Sequence, residues 1–138
     1  MNVLVDTPVW SLALRRKQVD LSAREKAITE ALAELIRDGR AQLMGAIRQE
    51  LLSGIRGEER FSRLRDYLRA FDEPRLEVSD YEGAAQMHNR CRGKGIAGSA
   101  IDLLICSVAY RRNWQIFTTD RDFGRYASVL AVKLHEAV

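Results

Sequence analysis

Two short apolar runs, one near each end of the chain, stop on aspartates. Val3-Leu4-Val5 leads into Asp6, and Ile116-Phe117 passes through Thr118-Thr119 into Asp120 and Asp122. Runs of this kind read as buried strands of a parallel sheet. Such sheets bind ligands beyond the carboxyl ends of their strands, where strand order reverses. Two further carboxylates belong with these: Glu50, one helical turn after a second strand, and Asp102, in the first turn of a helix preceding the Ile116 strand. Carboxylates crowded together raise one another's pKa, so a cluster of three or four calls for a cation between them. Oxygen-only ligands suit Mg2+ or Mn2+. Two such ions about 3.5–4 Å apart would stabilise both the attacking and the leaving oxygen of a phosphodiester.

Each carboxylate also has a plainer reading. Asp6 serves equally as a helix cap before Pro8, Asp102 as a favourable charge at a helix N-terminus, Glu50 as a solvated helix residue, and Asp120 and Asp122 as turn formers. It is their joint placement that favours a shared site.

Other chemistries are poorly represented. His88 and His135 stand alone, outside any HExxH pair, and no GxSxG, Walker A or GxGxxG motif occurs. Cys91 and Cys106 have no zinc-type spacing and read as reduced, buried thiols. Trp10 and Trp114 read as core or interface aromatics. The chain has 138 residues, 46% hydrophobic and 30% charged, which fits one domain (residues 1–138) with a real core. The first apolar stretch is interrupted by Asp6 and has no basic flank, unlike a signal peptide, so the expected location is cytoplasmic. The net charge of +3, carried mostly by Arg, points weakly to a polyanionic partner. Arg48, Arg56, Arg92, Lys94 and Arg121 are candidates to grip a nucleic-acid backbone.

The elements that would position the carboxylates alternate between strand and helix. Strands are expected at 2–5, 41–44, 76–78, 115–118 and within 129–134. Helices are expected from Pro8, from the Ser22-Ala23-Arg24-Glu25 capping box, over 47–52 and 58–71, from a second capping box at Ser79-Asp80-Tyr81-Glu82 to about Arg92, and from Ser99 to Arg112. This order argues for an α/β fold with a parallel sheet.

The same residues resemble the PIN-domain family, and more closely the VapC-type ribonuclease toxins of type II toxin–antitoxin systems. The resemblance runs through Val3-Leu4-Val5-Asp6-Thr7-Pro8, where Pro8 replaces the commoner serine, through Glu50-Leu51-Leu52-Ser53-Gly54 and Ser99-Ala100-Ile101-Asp102, and into Thr118-Thr119-Asp120-Arg121-Asp122-Phe123. It implies a three-layer α/β/α fold around a four- to five-stranded, mainly parallel sheet. It implies a Mg2+- or Mn2+-dependent endoribonuclease in which Asp6, Glu50, Asp102 and Asp120 hold the metal. Asp122 would assist, and Thr118 would orient a carboxylate or the attacking water. Metal-activated water would cleave RNA, leaving a 5′-phosphate and a 3′-hydroxyl. It implies as partners a homodimeric second copy and a VapB-type antitoxin whose C-terminal segment covers the site. A non-catalytic RNA-binding module and a metal-dependent DNA phosphoesterase on the same fold are the alternatives.

Overall fold

The computed structural model describes residues 1–137; Val138, the last residue of the expected domain, lies outside them. Four strands form one all-parallel sheet in the order β2-β1-β3-β4: β1 Val3–Val5, β2 Ala41–Gln42, β3 Gln115–Phe117 and β4 Lys133–Leu134. The helices are α1 Thr7–Arg15, α2 Ala23–Arg37, α3 Gly45–Leu52, α4 Glu58–Leu68, α5 Val78–Gly93, α6 Ala100–Arg112 and α7 Asp122–Ala127, with a 3-10 turn at Gln18–Asp20. All three β1 residues are fully buried although successive side chains point to opposite faces. Both faces of the sheet are therefore covered, as a parallel sheet requires.

The expected α/β architecture is present, with four strands. The one strand that does not form is 76–78. Pro74 removes a donor beside it, and the chain turns into α5 when the Asp80 carboxylate accepts the Glu77 N–H at 2.8 Å. The cap of α5 is accordingly Glu77 with Asp80 in the first turn, and the box expected at Ser79 to Glu82 does not form. Helix α4 ends at Leu68, short of Phe71, whose ring packs edge-on against Trp10 at 4.9 Å. The Ser22 capping box forms in full: Ser22 Oγ accepts from Glu25 N–H at 3.1 Å, and Glu25 accepts from Ser22 N–H at 3.0 Å. At the other end of α2, Gly39 takes φ +70, a left-handed conformation suited to glycine, and closes the helix.

Helices α5 and α6 form a tight antiparallel pair. Gly83 lets them approach, since a Cβ there would sit 2.6 Å from Ser107 Oγ. Asp80 then locks the α5 start to the α6 end. It is fully buried, and its carboxylate accepts from Arg111 at 2.7 Å and from Arg112 at 2.8 and 3.1 Å. Arg112 also donates to the Arg75 carbonyl, which ties down the preceding loop. The Arg112 hydrogen bonds, outweighing the opposing effect of burial, hold the Asp80 carboxyl well below the usual carboxylate range, with help from Glu77 N–H and Arg111.

A carboxylate with a depressed folded pKa contributes stability above its unfolded pKa and loses it as pH falls through the folded value. Asp80→Ala should therefore lower unfolding stability by roughly 3 kcal/mol at neutral pH, because it strands two cations beside the core. The denaturant midpoint measures this, and an unchanged midpoint would contradict the lock.

Candidate metal centre

The site forms at the carboxyl end of the sheet, between β1 and β3, where strand order reverses. The register pairs Val5 with Phe117, and the Asp6 N–H extends the ladder by donating to the Phe117 carbonyl at 2.9 Å. The next residues, Asp6 and Thr118, therefore meet: Thr118 Oγ1 donates to Asp6 Oδ2 at 2.8 Å. The same hydroxyl oxygen accepts from Asp120 N–H at 3.0 Å, and Asp120 Oδ1 accepts from Asp122 N–H at 2.9 Å. Thr118 thus fastens the β3 turn to the end of β1. Asp6 also caps α1, accepting from Thr7 N–H at 2.8 Å, so its plain structural role and its place in the site coexist.

Asp102 arrives from the other direction. Helix α6 runs back along the sheet before β3, so its N-terminus lies at the carboxyl end of the strands. Ser99 caps that helix through Asp102 N–H, and Tyr126 donates its phenol hydrogen to Asp102 Oδ2 at 2.8 Å. Asp102, Asp120 and Asp122 each offer an oxygen within 4.8 Å of the others, the one such grouping among the described residues. Asp122 is thus inside the carboxylate cluster. Glu50, on α3, joins the acidic end through Thr7, whose Oγ1 donates to Glu50 Oε2 at 2.8 Å. Asp6 and Glu50 are adjoining members of the acidic wall, outside the tight trio.

The charges register one another. Burial pushes the Asp6 carboxyl up from 3.8 to about 6, with Asp102 and Asp120 adding to the rise against the hydrogen bonds from Thr118 and Thr7. Burial likewise raises Asp102, opposed by the Tyr126 hydrogen bond and reinforced by Asp120 and Asp122. Burial and the Asp102 charge keep the Tyr126 phenol protonated far above neutrality, so it acts as a donor. The donors are all carboxylate oxygens with unrelieved mutual repulsion. That set fits a hard divalent cation and not a thiolate- or imidazole-loving one.

Thr7 and Tyr126 were not singled out by sequence reasoning. Tyr126 lies 24 residues from Asp102, and its one signal is an aromatic four residues after Asp122 on α7. Among the basic candidates, Arg48 pairs with Glu73 at 3.0 Å, and Arg121 flanks the cluster directly. His135 bonds Gln115 and packs on Phe117, and Trp10 is buried with its indole N–H on the Val5 carbonyl.

A carboxylate whose folded pKa is raised favours the fold as pH falls through that value and costs stability as pH rises. In chelator, Asp6 should therefore make the protein about 1 kcal/mol more stable at pH 5 than at pH 7. His135 acts in the opposite sense, because burial lowers its pKa. The test therefore compares the pH dependence of thermal unfolding in the wild type with that of Asp6→Asn. The increment should vanish in the variant, and identical profiles would contradict it.

Comparison with solved structures finds the same fold across 98–99% of this chain. One is FitAcB from Neisseria gonorrhoeae (TM-score 0.74, 18% identity, 97% of that chain covered). Another is VapBC2 from Rickettsia felis bound to a DNA fragment from their promoter (TM-score 0.76, 17% identity, 98% covered). A third is a toxin–antitoxin complex from Klebsiella pneumoniae (TM-score 0.73, 13% identity, 98% covered). At these identities the likeness is one of fold. The PIN domain family model matches residues 3–129, nearly the whole length, and the chain belongs to the PIN domain family.

Proposed function

We propose that this chain is a Mg2+- or Mn2+-dependent endoribonuclease, the toxin of a type II toxin–antitoxin pair. The observation that carries the reading is the oxygen-only cluster of Asp102, Asp120 and Asp122, walled by Asp6 and Glu50, at the switch point of the sheet. Asp102, Asp120 and Asp122 would hold a divalent cation, with Asp6 and Glu50 completing the negative wall. When bound, such an ion supplies Lewis acidity at a phosphate and lowers the pKa of water. The chain's own groups orient the rest. Thr118 fixes the Asp6 carboxylate and the β3 turn, Thr7 fixes Glu50, and Tyr126 restrains the Asp102 carboxylate by donating to one of its oxygens.

A solved structure of the same fold that is itself a toxin–antitoxin complex supports an antitoxin partner. The reading includes a homodimeric second copy; the groove of about 450 Å³ between α5 and α6, lined by Tyr81, Ala84, Ile101 and Leu104, is apolar surface of the kind that protein contacts cover. No helix among the described residues is long and apolar enough to cross a membrane. The free thiols Cys91 and Cys106 suit the reducing cytoplasm as the place of action.

Purified protein should cut single-stranded RNA when Mg2+ or Mn2+ is present and stop when the ion is chelated. Asp102→Asn should reduce cleavage at least about a hundredfold while keeping the circular dichroism of the wild type. Wild-type cleavage in chelator, or full activity in Asp102→Asn, would contradict the reading, and preferential cleavage of DNA would replace it with the phosphoesterase alternative. A separate prediction concerns Tyr126→Phe, which should weaken Mn2+ binding by about 10–100-fold in calorimetry, as loss of a ligand-orienting hydrogen bond does. Unchanged affinity would remove Tyr126 from the site.

A further inference from the structure

A second feature lies beside the segments that carry the carboxylates. A groove of about 540 Å³ runs between α1 and the start of α2, and its lining includes Pro8, Thr119 and Arg121. Pro8 follows Asp6 by two residues, and Thr119 and Arg121 flank Asp120, so the groove borders the segments that carry the carboxylates. Its wall carries Arg15, Arg16, Arg24 and Arg121 against a single carboxylate, Glu25. The electrostatics change sign abruptly at this mouth, from a wall of carboxylates to a surplus of guanidinium.

The arginines are not equivalent. Arg16 pairs with Glu25 at 3.2 Å, and Arg15 spends its guanidinium on the Leu51 and Ser53 carbonyls at the end of α3. Arg24 and Arg121 are exposed and form no ion pair or side-chain hydrogen bond with any described residue. Arg24 also sits in the first turn of α2, where a cation opposes the helix dipole. It stabilises nothing visible there, and a local rule broken without structural return is a mark of function.

We propose that this groove is the track on which the backbone of a single-stranded RNA lies as it enters the carboxylate site, with Arg24 and Arg121 as its phosphate contacts. The proposal rests on the ribonuclease reading. An acidic site repels a polyanion, so a strand is held only by cations placed beside it, at phosphates other than the one cleaved. Planar guanidinium forks suit that task.

The test measures binding of a labelled single-stranded RNA oligonucleotide by fluorescence anisotropy, in chelator and across a salt series. It compares the wild type with Arg24→Ala/Arg121→Ala. Arg37→Ala/Arg90→Ala serves as a control that removes equal charge away from the groove. The groove variant should bind about tenfold or more weakly, and the slope of log affinity against log salt should flatten by about 1.4, the value for two lost single-strand phosphate contacts. The control should keep the wild-type slope. Equal losses in both variants, or no loss in the groove variant, overturn the proposal. So does groove-dependent binding confined to a glutamate-rich peptide, which assigns the surface to an acidic polypeptide.

Cleavage of the same strand by the wild type with Mn2+ is scored separately. Cleavage with groove-independent binding overturns the groove alone. Groove-dependent binding without cleavage overturns the ribonuclease reading alone.

Discussion

The parallel pairing of β1 with β3 is the constraint on which the rest depends. The two strands are only three residues long, yet their register decides which side chains meet beyond their ends. With Val5 opposite Phe117, Asp6 meets Thr118, and Thr118 in turn holds the turn that carries Asp120 and Asp122. A register slipped by one residue would send every side chain of β1 to the opposite face of the sheet and separate that pair.

Burying a carboxylate at this edge beside others works against the fold: burial first, and the Asp102 and Asp120 charges after it, raise the pKa of Asp6. The protein holds them apart and oriented with hydrogen bonds from Thr7, Thr118 and Tyr126. Gly98 contributes by its small size: a Cβ there would lie 3.0 Å from the Tyr126 ring, whose phenol restrains Asp102. Stability comes from elsewhere, notably the buried Asp80 with its two arginines, where a carboxylate is matched by cations within hydrogen-bonding distance. The same side chain type is thus stabilising in one place and costly in another, according to what faces it.

Much of this was legible from residue order. Apolar runs ending in Asp6 and Asp120 marked the carboxyl edge of a parallel sheet, and the Ser22 box marked the start of α2 where the structure has it. The run at 76–78 misled because three residues after a proline carry too little pattern to separate a strand from the entry to a helix. Thr7, Tyr126 and the Arg24 side of the groove were not legible, since each matters through contacts distant in sequence: Thr7 meets Glu50 43 residues away, and Tyr126 meets Asp102 24 away. Local periodicity carries no information about such pairs. The resemblance gives Asp122 an assisting role, and the structure places its carboxylate close to those of Asp102 and Asp120.

The central claim is that this carboxylate cluster is a divalent-cation site. Anomalous diffraction at the manganese edge, from crystals grown with Mn2+, tests it most directly. The account predicts a peak about 2.0–2.3 Å from carboxylate oxygens of Asp102 and Asp120. An empty cluster at saturating Mn2+, or peaks confined to other parts of the surface, would contradict it.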